Sequence, residues 1–131
     1  MEDFKERRHL ERFSIPGAKT LYKVNKKIAW LSRYVGPTQL KDITKNGACI
    51  EIKENIPPGR ILNLKIIVPG EEKISVRGKV VWTDTMQAPP PAKAGIQFLP
   101  YGKGKPYNSF KTHEILERLT RQYMVTENSV M

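Results

Sequence analysis

The stretch Thr38-Gln39-Leu40-Lys41-Asp42-Ile43-Thr44-Lys45-Asn46-Gly47-Ala48-Cys49-Ile50-Glu51-Ile52 decides how the rest of the chain reads. Two runs of β-type residues flank Asn46-Gly47, a pair that tolerates positive φ and closes tight hairpin turns. In the second run Ala48, Ile50 and Ile52 recur at every other position, which puts them on one face of a strand. Asp42 to Ile52 is therefore expected to be a β-hairpin, turning at Asn46-Gly47.

Working outward, the same grammar repeats. Thr20 to Val24 is a short β-type run, and Lys26 to Val35, with Trp30 and Tyr34, has no decisive period. Pro57-Pro58-Gly59 marks a turn before the strand Ile61 to Val68, and Pro69-Gly70-Glu71-Glu72 marks the next. In Lys73 to Asp84, Ile74, Val76, Gly78, Val80 and Trp82 alternate with more polar residues, so Trp82 is expected to face the core. Ala88-Pro89-Pro90-Pro91-Ala92 is expected to be an extended loop, since proline lacks the ladder donor, and Lys93 to Leu99 is the last strand. From Ser109 to Tyr123, Phe110, Ile115, Leu116, Leu119 and Tyr123 recur at helical spacing, with Ser109 or Asn108 as the cap. The fold class that follows is mainly β: a small six-stranded antiparallel barrel with a C-terminal α-helix packed on it. Residues 1–17 read as a flexible arm, 18–100 as the barrel, and 101–131 as helix and tail of the same single domain.

Composition agrees and narrows the function. With 131 residues there is room for one domain of ordinary size, and Cys49, the only cysteine, cannot form a disulfide within the chain. The longest apolar runs, such as Ile66-Ile67-Val68, fall far short of the roughly 20 residues that span a bilayer. The charged N-terminus Met1-Glu2-Asp3-Phe4-Lys5 offers no signal-peptide core, so a soluble, reducing, cytoplasmic setting is expected. Lys and Arg number 23 against 13 Asp and Glu, a net charge of +10 that attracts polyanions without choosing among them.

Catalytic chemistry finds no foothold. His9 and His113 sit at opposite ends, no metal-ligand spacing occurs, and Gly102-Lys103-Gly104-Lys105 is basic and glycine-rich but opens no helix directly. Cys49 alternates within a strand, as a quiet structural thiol does. No enzyme, metal or cofactor is expected.

Two clusters remain. Arg7-Arg8-His9-Leu10-Glu11-Arg12 spaces arginines four apart, and a guanidinium fork matches both phosphate oxygens and the O6/N7 edge of guanine. Asp42-Ile43-Thr44-Lys45-Asn46-Gly47 sets a carboxylate that accepts N–H groups beside a hydroxyl and a glycine that lets backbone come close. Either alone is an ordinary solvated helix face or an ordinary turn.

In this order, and followed by Gly78-Lys79-Val80-Val81-Trp82 and Ala94-Gly95-Ile96-Gln97-Phe98, they resemble the PilZ domain family, whose pattern is RxxxR and then (D/N)xSxxG within a six-stranded barrel. The resemblance runs from about Arg7 to Leu99. It implies a bacterial receptor for cyclic di-GMP, with no catalytic activity, that signals to a separate protein. Arg8 and Arg12 would take the phosphates and guanine Hoogsteen edges as the arm folds over the ligand, and Arg7 matches an additional arginine of members that bind a stacked ligand dimer. Asp42 would accept the guanine N–H groups, Thr44 would hydrogen-bond base or phosphate, and Gly47 would give close backbone approach. Thr44 departs from the usual serine and adds a methyl group. The competing readings are a basic barrel that binds RNA or single-stranded DNA, and a barrel of this type that has lost its ligand and serves as an interaction module. Nucleic acid is not the expected partner, because such surfaces present aromatics among their basic strands, and of Trp30, Tyr34 and Trp82 the last reads as core-facing.

Overall fold

The computed structural model describes residues 13–25, 33–85, 89–104 and 106–130, with side chains described as far as Tyr123. These form six strands and a helix: β1 (Lys19–Val24), β2 (Val35–Ile43), β3 (Gly47–Ile52), β4 (Ile61–Ile67), β5 (Ile74–Thr83), β6 (Ala92–Phe98) and α1 (Phe110–Val130). The strands close into an antiparallel barrel in the order β1-β2-β3-β6-β5-β4. Closure comes from β1 and β4, paired in unbroken register from Lys19 opposite Ile67 to Val24 opposite Leu62. A closed barrel leaves no edge strand to pair with another chain.

Alternation fills the interior. Tyr22, Ile43, Ile50, Ile52, Leu62, Leu64, Ile66, Val76, Val80, Ala94 and Ile96 point inward and are buried. Lys79, Lys93 and Gln97, one position out of phase, stay exposed. The hairpin expected around Asn46-Gly47 is β2–β3, and the core-facing triplet Ala48, Ile50 and Ile52 is buried as the alternation required.

Phe13 and Ile15, assigned on sequence to the arm, are core residues. Phe13 is 2% exposed and joins β2 through a two-bond bridge to Ile43, with its N–H donating to the Ile43 carbonyl (3.2 Å) and its carbonyl accepting from the Ile43 N–H (2.9 Å). Behind it, Pro16-Gly17 forms a turn closed by the Ala18 N–H on the Ile15 carbonyl at 3.1 Å. The chain is therefore anchored four residues before Gly17, where the arm was expected to end.

The helix begins as its cap predicts. Ser109 Oγ accepts from the Thr112 N–H at 3.1 Å, satisfying one of the orphan donors of the first turn. Asn108 does something else: its carboxamide accepts from the Arg77 N–H (2.8 Å) and donates to the carbonyls of Arg77 and Leu99 (both 2.9 Å), tying β5 to the chain entering the helix. Leu116 and Leu119 are fully buried, and the Tyr123 ring stacks on Phe13 with centroids 6.4 Å apart. Burying each leucine contributes about 1.5–3 kcal/mol. Phe110, expected on the same stripe, is instead 54% exposed at the first residue of the helix. An exposed two-point contact of Arg118 with Glu71 (2.8 and 3.2 Å) pins the helix to the β4–β5 turn, and holds the Glu71 carboxyl below its usual range.

Candidate functional site

The β2–β3 turn is built by Thr44. Its N–H donates to the Gly47 carbonyl at 2.8 Å, and its side-chain oxygen accepts from the N–H groups of Asn46 (3.0 Å) and Gly47 (3.1 Å). Neither Asn46 nor Gly47 has positive φ, so the expected Asn-Gly tight turn is replaced by a hydroxyl-organised one, and Gly47 already belongs to β3. Glycine is required there for a different reason. A Cβ at Gly47 would overlap the Ile96 carbonyl oxygen of β6, and a further bond, Phe98 N–H to the Asn46 carbonyl (2.8 Å), holds β6 against the turn.

With both of its acceptor bonds spent on the turn, the Thr44 hydroxyl directs its own proton at the Gly47 carbonyl, 3.5 Å away, a long and weak bond that a better-placed acceptor can replace. It can donate to a phosphate or a base carbonyl. Thr44→Ser is expected to keep turn and affinity. Thr44→Val removes two acceptor bonds at about 1 kcal/mol each, so it should lower the denaturation midpoint and weaken ligand binding together. A valine variant as stable as wild type would mean that the hydroxyl does not organise the turn.

On the outer wall, four residues fall in one row. Asp42 stands opposite Cys49, Cys49 opposite Gly95, and Gly95 opposite Trp82, across β2, β3, β6 and β5. Each of the first three alternates with core neighbours (Ile43; Ala48 and Ile50; Ala94 and Ile96), so the row faces outward. Trp82 joins it because β5 bulges between Val80 and Trp82, absorbing Val81 as an extra residue. The expected core-facing Trp82 is thus corrected. Its half-buried indole lies across the outer side of Gly95, where a Cβ would overlap the ring. Two signals in the sequence pointed to this: adjacent Val80 and Val81 break the alternation, and a glycine inside a strand marks close approach. Cys49 is buried in the row.

Tyr101 fastens the turn to the helix. Its hydroxyl donates to the Lys45 carbonyl (2.5 Å), while its ring meets His113 of α1 edge-on with centroids 4.7 Å apart. Burial pushes the Tyr101 hydroxyl pKa up to about 12, which keeps it protonated and donating.

Of the expected site residues, Asp42, Thr44 and Gly47 come together in this turn and the strands it joins. Arg7, Arg8 and Arg12 lie outside the described residues, but Arg12 directly precedes Phe13, whose bridge partner Ile43 sits between Asp42 and Thr44. Among the described residues no group of three His, Cys, Asp or Glu side chains is placed to hold a metal, and no helix is long and apolar enough to cross a membrane. Comparison with curated proteins and with solved structures brings no match. The family model of the PilZ domain matches residues 6–107, most of the chain.

Proposed function

The chain belongs to the PilZ domain family, a family of cyclic di-GMP-binding receptors, and on that premise we propose that it is a non-catalytic, cytoplasmic receptor and adaptor that changes shape on binding cyclic di-GMP and signals to a separate protein. The observation that carries this reading is the Phe13–Ile43 bridge. It fixes Phe13, the residue that follows Arg12 in the sequence, between Asp42 and Thr44, and this supports a site that draws on both motifs although they are far apart in sequence.

In this reading the arginines clamp the phosphates and the guanine O6/N7 edges. Asp42 accepts guanine N–H groups, Thr44 donates, and Gly47 keeps the turn flush against β6. The Trp82 indole offers a flat apolar floor two strand spacings, about 10 Å, from the Asp42 position, where a guanine plane can lie. Neutralised by the ligand, the arm closes on the barrel. The change reaches the helix through Phe13, whose ring stacks on Tyr123.

Titration calorimetry with cyclic di-GMP, and GMP as control, tests the binding. Hydrogen exchange tests the switch. Amides before Phe13 should exchange fast in the free protein and slow at ligand saturation, while the Phe13 and Ile43 amides, bonded to each other's carbonyls, should be slow in both states. Absence of binding heat would leave an interaction module. Binding without protection of the arm would leave a rigid receptor and remove the switch.

A further inference from the structure

The opposite wall of the barrel carries a second pattern. Along β1, β4 and β5 the outward-facing charged residues are Lys19, Lys23, Lys65, Arg77 and Lys79, five cations with no acidic residue among them. Lys23, Asn63 and Arg77 stand in one row across the three strands, and Leu21, Lys65 and Ser75 in the next. The row is oriented: Arg77 Nε donates to Asn63 Oδ1 at 3.2 Å, and the Asn63 amide donates to Asn25 Oδ1 at 3.1 Å. Beside it Tyr34 is 38% exposed, and the ammonium groups of Lys23 and Lys65 both gather on its ring, 4.9 and 4.4 Å from the centroid. Two like charges held on one ring repel each other, and an anion arriving there relieves the repulsion.

We propose that this face binds single-stranded nucleic acid, independently of the cyclic dinucleotide reading and on a different wall of the barrel. Cations beside an exposed aromatic are what sequence-tolerant single-strand surfaces use: lysine and arginine follow the phosphates, and the ring takes a base. A strand that draws Lys23 and Lys65 onto its phosphates leaves the face of Tyr34 open to that base. A flexible strand can follow a convex barrel wall, whereas this face offers no helix or ribbon to enter the groove of a duplex. A protein partner is the poorer fit. Protein interfaces depend on buried apolar anchors, and on and beside these strands the exposed large apolar residues among the described ones are only Tyr34 and, at the far end of β5, Val81. The outward Trp82 also removes the sequence-based objection that the barrel's large aromatics are spent in its core.

The test is fluorescence anisotropy with a labelled oligodeoxythymidine, and oligouridine in parallel, across a salt series. Five phosphate contacts on a single strand predict that log K falls against log salt with a slope of about −3.5. Lys23→Glu/Lys65→Glu should lose at least about tenfold in affinity, and Lys23→Gln/Lys65→Gln should reduce the slope to about −2. The charge-matched control Lys53→Glu/Lys103→Glu, on other parts of the surface, should bind close to wild type. Three results would overturn the proposal: no binding at low salt, equal weakening by the control pair, or binding of phosphatidylserine vesicles or polyglutamate at least as tight as that of the oligonucleotide. Circular dichroism of each variant separates lost binding from lost folding, and the glutamine pair decides should the glutamate pair unfold.

Discussion

Replacing Arg8 or Arg12 with alanine is expected to weaken cyclic di-GMP binding by tenfold to more than a hundredfold while leaving the melting temperature of the barrel in place. A hydrogen bond to a charged partner contributes about 1.5–3 kcal/mol, and each 1.4 kcal/mol is about a factor of ten in affinity. The barrel should not notice the loss, because the core among the described residues is complete from Phe13 onward and the sequence before it carries only Phe4 and Leu10 as large apolar groups besides Met1. Calorimetry and thermal denaturation on the same samples check both halves. Unchanged affinity in both variants would remove the arginines from the site. A melting temperature lowered by several degrees would make them structural.

Gly47→Ala should act in the opposite way, on the fold before the ligand. The φ at Gly47 is ordinary, so alanine meets no backbone strain there, and its whole cost is the collision of Cβ with the Ile96 carbonyl. That oxygen belongs to backbone held by the β3–β6 ladder, from Gly47 opposite Gln97 to Ile52 opposite Ala92, and cannot swing aside as a side chain would. Overpacking of this kind costs about 1–3 kcal/mol, roughly 5–15 °C in melting temperature for a domain of this size. Ligand affinity should fall as a consequence, since the Thr44 turn is bonded to the same glycine. A melting temperature within about 2 °C of wild type would mean that β3 and β6 can part at no cost, and that the glycine serves the ligand instead.

What the sequence made legible was local. Ile74, Val76, Gly78 and Val80 announced a strand and its inner face because a two-residue period needs no knowledge of neighbours. The same logic failed two residues later at Trp82, where the ladder with β6 absorbs Val81, and a bulge is a property of two strands together. Phe13 was misread for a related reason: it lies in the charged stretch assigned to the arm, and its partners Ile43 and Tyr123 are remote in sequence. Phe110 fitted the helical period, but period alone cannot say where the barrel surface ends. In the candidate site, the types and spacing of Asp42, Thr44 and Gly47 were readable. Their division of labour was not. Thr44 spends its lone pairs on the turn, and Gly47 yields its side-chain space to β6, both of which depend on contacts no linear pattern records.

The Tyr101 contact has a thermodynamic consequence. The hydroxyl is bonded to the carbonyl of Lys45, inside the turn between Thr44 and Gly47, and the same ring rests against His113 on the helix. A ligand that displaces the Lys45 carbonyl must either break this bond or carry the ring with it into the helix. Coupling between two equilibria is reciprocal by linkage. Whatever factor the ligand applies to the affinity of a protein gripping α1, that protein applies to the affinity for the ligand. In a receptor wired this way, were a protein to grip α1, sensitivity would not be one fixed value: the ligand concentration at half-saturation would depend on how much of that protein surrounds it.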